Sequence, residues 1–357
     1  MSHAYQAVGW NPQKKRYDRA ILIVVLAYLG AFVGLGAALH PGATAESLMI
    51  RATGTLALLL LHVILCIGPL CRFDRRFGPL LYNRRHLGVI LFVLALAHGG
   101  VSTVLYHTQS DLNPLVSVLV SGGGWTRLAD LPFQPFGLGA LLILALMATT
   151  SHDFWLAQLT PPVWKALHML VYVAYALVLA HVALGVLAAE SSTVLFAVLG
   201  VGVLVVGGLH VAAAARENGT DGVLERAASP ALGGNGEDGL LDGLLDVAGL
   251  EQLNEGEGHA VLVSGERVAV FLHDGKVSAV SGVCRHQNGP LAEGRIIDGC
   301  ITCPWHGYQY EPETGCSPPP FDERIPTFRV TVRAGRVLLD PRPLPAGTPV
   351  TPARVDS

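Results

Sequence analysis

The sequence predicts a multidomain membrane protein: a six-helix transmembrane α bundle followed by a small all-β domain. Three observations carry that expectation. Of 357 residues only 14% are charged and 51% are hydrophobic, with a mean hydropathy of +0.46; soluble domains carry roughly a quarter charged residues. The charge is segregated, since residues 20–215 hold 14 of the 51 charged side chains and residues 216–357 hold 32. The apolar half contains six windows free of Asp, Glu, Lys and Arg, whereas the charged half shifts to a two-residue alternation. These changes divide the chain into an N-terminal segment 1–19, a membrane domain 20–215, a linker 216–239, a β domain 240–345 and a tail 346–357.

The windows run 20–45, 52–71, 86–110, 131–152, 166–189 and 191–215, each of 20 to 26 residues. About 20 apolar residues in a helix cover about 30 Å of hydrocarbon. One such window is compatible with a buried soluble helix, but six in succession argue for spans. Short cytoplasmic loops retain Lys and Arg. Lys14, Lys15, Arg16, Arg19, Arg72, Arg75, Arg76, Arg84, Arg85 and Lys165 fall on one side, Arg51 and Arg127 on the other. Both termini are therefore expected in the cytoplasm, in a multi-pass protein of the inner cell membrane. A signal peptide cleaved near Ala43-Thr44-Ala45 is the alternative for the first window, but its apolar core exceeds the roughly 7 to 15 residues of such signals. Between the third and fourth windows, the apolar run Asn113 to Val120 is too short to span and either lies along the interface or packs loosely.

Ionisable groups inside hydrocarbon are costly and usually face the bundle interior. Here they are nearly all histidine: His62 in the second window, His86 and His98 in the third, His168 and His181 in the fifth. His40 and His210 lie near window ends and read as interfacial. His86 and His98 are 12 residues apart and His168 and His181 are 13 apart, so each pair spans about 18 to 20 Å of helix. The third and fifth spans run in the same direction, which lets first face first and second face second. Two levels of paired imidazoles result, an arrangement that holds two stacked b-type haems. Helical angle opposes the simplest version, because 13 steps of about 100° leave His168 and His181 about 140° apart. The alternative for any one of these histidines is a bond to a backbone carbonyl.

The stretch Arg84-Arg85-His86-Leu87-Gly88 with Ala97-His98, and Trp164-Lys165-Ala166-Leu167-His168-Met169-Leu170-Val171-Tyr172 onward to His181, resembles the ferric-reductase-like transmembrane domain. The resemblance covers roughly residues 20–210. That family includes the haem-bearing cores of ferric reductases and NADPH oxidases and the membrane subunit of a bacterial methionine sulfoxide reductase system. The resemblance implies that His98, His168 and His181 are haem ligands, with His86 as the fourth, and hence one or two b-type haems. His86 stands one residue closer to His98 than is usual in two-haem members.

From Gly258 the alternation His259-Ala260-Val261-Leu262-Val263 and Arg267-Val268-Ala269-Val270-Phe271-Leu272, with Asp274-Gly275 as a hairpin turn, predicts an antiparallel β domain. Within it stand Cys284-Arg285-His286 and, after 16 intervening residues, Cys303-Pro304-Trp305-His306. Two Cys and two His also suit structural zinc, but zinc fingers group Cys with Cys and His with His. One thiolate and one imidazole per motif is the donor set of a [2Fe-2S] cluster with two Cys on one iron and two His on the other. CRHQNGPLAEG and CPWHGYQYEPETG resemble the two cluster-binding loops of Rieske domains, over about residues 240–342. The resemblance implies Cys284 and Cys303 on one iron, His286 and His306 on the other. Respiratory Rieske proteins add a disulfide between the loops, where this chain has Gly289 and Trp305. The ferredoxin-like and oxygenase-associated type is therefore expected, toward the low end of a range of roughly −150 to +300 mV. Such a site suits a reducing compartment. Cys300 and Cys316 are left as buried or free thiols without an assigned role.

After His306 come 51 residues without a histidine, so the mononuclear iron domain of a Rieske oxygenase, which needs two His and a carboxylate, is not expected. Gly233-Gly234-Asn235-Gly236 lacks the flanking strand and helix of a dinucleotide site. Neither half has the basic stripe of a nucleic-acid binder. The expected function is a transmembrane electron-transfer oxidoreductase. A soluble cytoplasmic reductase, docked on a C-terminal half of net charge −8, would feed the cluster, and haem would pass electrons to ferric iron, oxygen, a quinone or a periplasmic protein outside. Two alternatives keep the cofactors: a quinol-oxidising donor to a cytoplasmic oxygenase, and a membrane-anchored redox or iron sensor.

Overall fold

The computed structural model describes all residues except 1–11, 78–79, 81–82, 110, 121–131, 152–154, 156–158, 160, 188–191, 234–239, 242, 287–288, 305–306, 320 and 356–357. The chain divides between Ala213 and Ala214 into two compact units, beside the boundary that charge density places after Ala215.

The first unit is helical: α1 (Pro12–Leu39), α2 (Ala45–Phe73), α3 (Arg84–His107), a short α4 (Pro114–Val120), α5 (Gln134–Thr150), α6 (Pro161–Met169), α7 (Val171–Val182) and α8 (Thr193–Gly233). Thr44 starts α2 by accepting the Ser47 N–H on its hydroxyl at 3.3 Å, with Glu46 in the first turn beside the positive helix end. Among the described residues five stretches, 15–39, 45–73, 84–107, 166–185 and 193–216, are long and apolar enough to cross a membrane. The expected fourth span is shorter. Pro135 opens α5, whose 17 residues rise only about 25 Å, under the roughly 30 Å of a hydrocarbon core. The described helices thus give five clear spans and one short apolar helix in place of six equal ones.

Two further details appear in the structure. Within the fifth window α6 and α7 meet at Leu170, whose N–H turns back to the Leu167 carbonyl at 3.2 Å, while residues 166–185 together stay long and apolar enough to span. The stretch expected as a linker, 216–239, is helical as far as Gly233, because Leu224, Glu225, Arg226, Ala227 and Ala228 favour helix; residues 234–239 lie outside the described set. α2 packs most extensively on α3, and α5 on α7. Val25, Leu56 and Leu94 form a core joining α1, α2 and α3, beside a Tyr28–Thr55 hydroxyl bond of 2.9 Å. The apolar run after Asn113 is α4, tied to α3 through the 2.9 Å bond between His107 Nδ1 and the Ser117 hydroxyl, with Leu115, Leu119 and Val120 exposed.

The second unit contains three antiparallel sheets. One has the order β1 (Leu240–Leu241), β2 (Leu244–Gly249), β11 (Arg336–Leu339), β10 (Val330–Arg333). Another runs β12 (Ala353–Arg354), β5 (Lys276–Ser281), β4 (Glu266–His273), β3 (Gly258–Val263), with β9 (Thr327–Phe328) also on β5. The third is β6 (Arg295–Ile297), β7 (Cys300–Thr302), β8 (Gln309–Tyr310). Asp274 and Gly275 both take positive φ, 49° and 66°, the two-residue turn expected between β4 and β5. Strand alternation sorts β4 onto two cores. Val268 and Val270 join Val277, Val337 and Leu339 on one face, whereas Ala269 and Phe271 join Leu291, Ile301 and Tyr310 on the other. The second core carries the cysteine loops.

Candidate functional site

In the β unit, Cys284 lies between β5 and β6 and Cys303 between β7 and β8. Both loops close in the same way: the Cys284 N–H donates to the Gly289 carbonyl at 2.9 Å and the Cys303 N–H to the Tyr308 carbonyl at 2.8 Å. Strand β4 anchors the first loop, since the Gly282 N–H donates to the Arg267 carbonyl at 2.7 Å. Both thiols are buried, 1% and 2% exposed, in the core that contains Tyr308 and Tyr310. The half-buried His286 ring stacks on Tyr308, with centroids 4.9 Å apart and planes 8° from parallel. The Tyr308 hydroxyl donates to Glu323, and burial, then that bond, raises its pKa. The Tyr310 oxygen stands 3.4 Å from Cys284 Sγ and accepts the Arg285 N–H at 3.0 Å. Burial raises the Tyr310 pKa, with the neighbouring Cys284 adding to it, so against a thiolate the phenol is the donor. His306 lies outside the described residues. Among those described, no three His, Cys, Asp or Glu side chains form a metal-sized group; two buried thiols in one core with an imidazole at its edge nevertheless supply three of the four donors that a mixed Cys and His cluster takes.

In the helical unit, His98 Nδ1–H donates to the Ile50 carbonyl at 3.0 Å, and His181 Nδ1–H donates to the Phe133 carbonyl at 2.9 Å. A carbonyl only accepts, so Nδ1 carries a proton in both rings, and in the neutral imidazole Nε2 then keeps its lone pair. The two rings lie edge to face, with centroids 6.1 Å apart and planes at 85°. Two neutral imidazoles with free Nε2 lone pairs on facing helices are the donor chemistry of bis-histidine haem ligation. The surroundings repeat: carbonyl and histidine are 48 residues apart in each half. Residues 54–61 (GTLALLLL) and 94–98 (LALAH) align at one common offset of 83 with residues 137–144 (GLGALLIL) and 177–181 (LVLAH). That repeat is present in the sequence but is invisible to hydropathy windows and histidine spacing.

Residues 244–329 match the Rieske [2Fe-2S] domain family, and residues 53–179 match the ferric reductase like transmembrane component family. The ferredoxin component of an alkene monooxygenase system from Xanthobacter autotrophicus is 33% identical over 102 residues, 28% of this chain and 84% of that protein. The chain is a Rieske [2Fe-2S] protein fused to a ferric-reductase-like transmembrane component. A cholesterol 7-desaturase of Ciona intestinalis is 39% identical to the Rieske region over 83 residues, 23% of this chain. The chain spans only 18% of that relative's length. Among solved structures, the ferredoxin of carbazole 1,9a-dioxygenase from Nocardioides aromaticivorans IC177 is 28% identical, with a TM-score of 0.27, over 28% of this chain and 98% of that one.

The other histidines of the Rieske fusion protein's membrane unit are engaged differently. His168 stacks on Trp164 at 3.6 Å and donates from Nδ1 to the Trp164 carbonyl at 3.0 Å; its Nε2 lies 3.2 Å from the Ser151 hydroxyl, which donates to the Met147 carbonyl at 2.7 Å. His86 donates from Nδ1 to Asp18 at 2.6 Å, tying α3 to α1. Among the described residues no ring contact joins His86 to His168, so the structure brings together the second expected pair and not the first. His62 is buried edge-on to Tyr175, with centroids 5.5 Å apart, and its Nε2 has no hydrogen-bond partner among the described residues. Cys300 and Cys316 are half-buried; burial first, then Glu311 and Asp298, raises the Cys300 thiol. No disulfide is present among the described residues.

Proposed function

We propose that this protein is a transmembrane electron-transfer oxidoreductase that passes single electrons between its Rieske cluster and one b-type haem held by His98 and His181. The observation that carries the haem site is the approach of these two rings to 6.1 Å, each with Nδ1 committed to a backbone carbonyl. Cys284 and Cys303 bind one iron of the cluster, and His286 and His306 bind the other.

Cluster and haem, when bound, supply one-electron chemistry; the chain supplies ligands, orientation and a dry setting. Ile50 and Phe133 hold a proton on Nδ1 of each haem-site imidazole. The apolar core around Phe271, Leu291 and Ile301 keeps water from the thiolates, while Tyr308 orients His286. Electrons enter from a soluble cytoplasmic reductase, whose docking is favoured by the net charge of −8 after Ala215. They leave to an acceptor across the membrane: ferric iron, oxygen, a quinone or a periplasmic protein. The basic residues at 14–19, 72–85 and 165 support cytoplasmic termini.

Optical and EPR redox titration of the purified membrane protein tests the proposal. One low-spin haem and one Rieske signal per chain are expected, and His98→Ala and His181→Ala each abolish the former while retaining the latter. A low-spin haem that survives both substitutions removes the site. Haem that is reduced by quinol but never through the cluster reverses the direction of flow.

A further inference from the structure

The two halves of the His98–His181 site share a backbone feature. In each, the imidazole lies flat enough against a neighbouring helix to reach a carbonyl, and the residue four positions beyond that carbonyl is glycine: Ile50 with Gly54, and Phe133 with Gly137. A Cβ at Gly54 would stand 2.8 Å from His98 Nδ1, and one at Gly137 would stand 2.7 Å from His181 Nδ1. The three nearest atoms are ring atoms of the histidine in both cases.

A Cβ would also be tight at Gly202, against the His62 ring, and at Gly185, 2.7 Å from Phe133, whereas one at Gly88, Gly100, Gly200 or Gly208 would meet nothing within 4 Å. What sets Gly54 and Gly137 apart among the described residues is that the ring lying over each also bonds the carbonyl four residues before it. The carbonyl matters as much as the space. Helical carbonyls already serve the N–H four residues on, but a carbonyl oxygen has a second lone pair, and at Phe133 the oxygen takes both the Gly137 N–H at 3.4 Å and His181 at 2.9 Å. An incoming ring reaches that lone pair only by lying over residue i+4, where any side chain would begin.

We propose that Gly54 and Gly137 are positioning residues of the haem site: by omitting Cβ, each seats the neighbouring imidazole against a backbone carbonyl that fixes its proton on Nδ1, so that Nε2 is the atom that would hold haem iron. This rests on the reading of His98 and His181 as ligands of one haem. The half-sites are equivalent, since glycine precedes histidine by 44 residues in each. Methyl groups at the two positions therefore act alike. Each presses its ring off the carbonyl and toward the partner ring, loosening both the tautomer and the ligand geometry.

The test compares Gly54→Ala and Gly137→Ala with the controls Gly200→Ala and Gly208→Ala in the full-length, haem-loaded protein. Low-spin haem is read by EPR and absorbance, haem retention by stoichiometry, and fold by helix content and the Rieske signal. The first two variants are expected to shift the low-spin g values and to weaken haem retention about tenfold, the low end of outer-shell effects at metal sites. Helix content and Rieske intensity stay unchanged, and the controls match the parent. Unchanged g values and retention in either Gly54→Ala or Gly137→Ala overturn the proposal. So does loss of haem that tracks loss of helix content, which assigns the glycines to packing. Either result leaves the haem reading intact as long as His98→Ala and His181→Ala abolish the haem, whereas haem surviving those two defeats the reading itself.

Discussion

The phenol oxygen of Tyr310 lies 3.4 Å from Cys284 Sγ and at the same time accepts the Arg285 N–H at 3.0 Å. The N–H polarises the phenol, and the phenol in turn draws electron density from the sulfur, which favours the reduced form of any cluster bound there. Tyr310→Phe removes that bond. A hydrogen bond to a charged group is worth about 1.5–3 kcal/mol, equivalent to about 65–130 mV for one electron, so the Rieske midpoint is expected to fall by up to about that amount. EPR-monitored titration of parent and variant measures it, and an unchanged midpoint removes Tyr310 from the site.

His86 is tied to Asp18 at 2.6 Å, and His168 bonds the Trp164 carbonyl through Nδ1 with the Ser151 hydroxyl beside Nε2. His86→Ala is accordingly expected to leave haem content and the low-spin spectrum unchanged. Pyridine haemochrome assay against cluster iron reads the ratio, and a fall by half on His86→Ala reinstates a second haem.

Gly282 sits at the root of the first cluster loop, where a Cβ would lie 2.7 Å from the Arg267 carbonyl oxygen. That neighbour is strand backbone and cannot turn aside. Gly282→Ala should destabilise the Rieske domain by about 1–3 kcal/mol, the usual cost of forcing atoms into a packed interior, and reduce cluster content. Urea titration followed by the Rieske EPR signal checks both.

Asp340 provides a pH prediction. Its carboxylate takes hydrogen bonds from the Arg342 N–H and guanidinium, with Arg329 also near, and these hold its pKa below the ordinary carboxylate value. A pKa lowered in the folded state contributes stability that is complete above the unfolded value, about 3.9, and is lost as pH falls through the lower folded value. Asp340→Asn should therefore unfold at lower urea than the parent at neutral pH. The gap narrows below about pH 4; a gap independent of pH shows that the charge is not its source.

The division of the chain, its two materials and its cluster motifs are legible in the residues alone. Charge density locates the boundary near Ala215, windows without charge locate the apolar helices, and Cys284-Arg285-His286 with Cys303-Pro304-Trp305-His306 marks the proposed donors. All of these are local properties, fixed by composition, period or short spacing. Tertiary structure decided which distant groups meet. Spacing along α3 and along α6 and α7 puts His86 and His98, like His168 and His181, about 18 to 20 Å apart, but spacing on one helix does not fix which face another helix presents. Among the described residues His86 bonds to Asp18, His168 lies against Trp164 and Ser151, and His98 and His181 are the two histidine rings brought together. Ile50, Gly54, Phe133, Gly137 and Tyr310 carry no ionisable group that marks a membrane site or a cluster ligand in sequence. Their roles come from reaching a histidine or cysteine 26 to 48 residues away, a proximity that only packing creates.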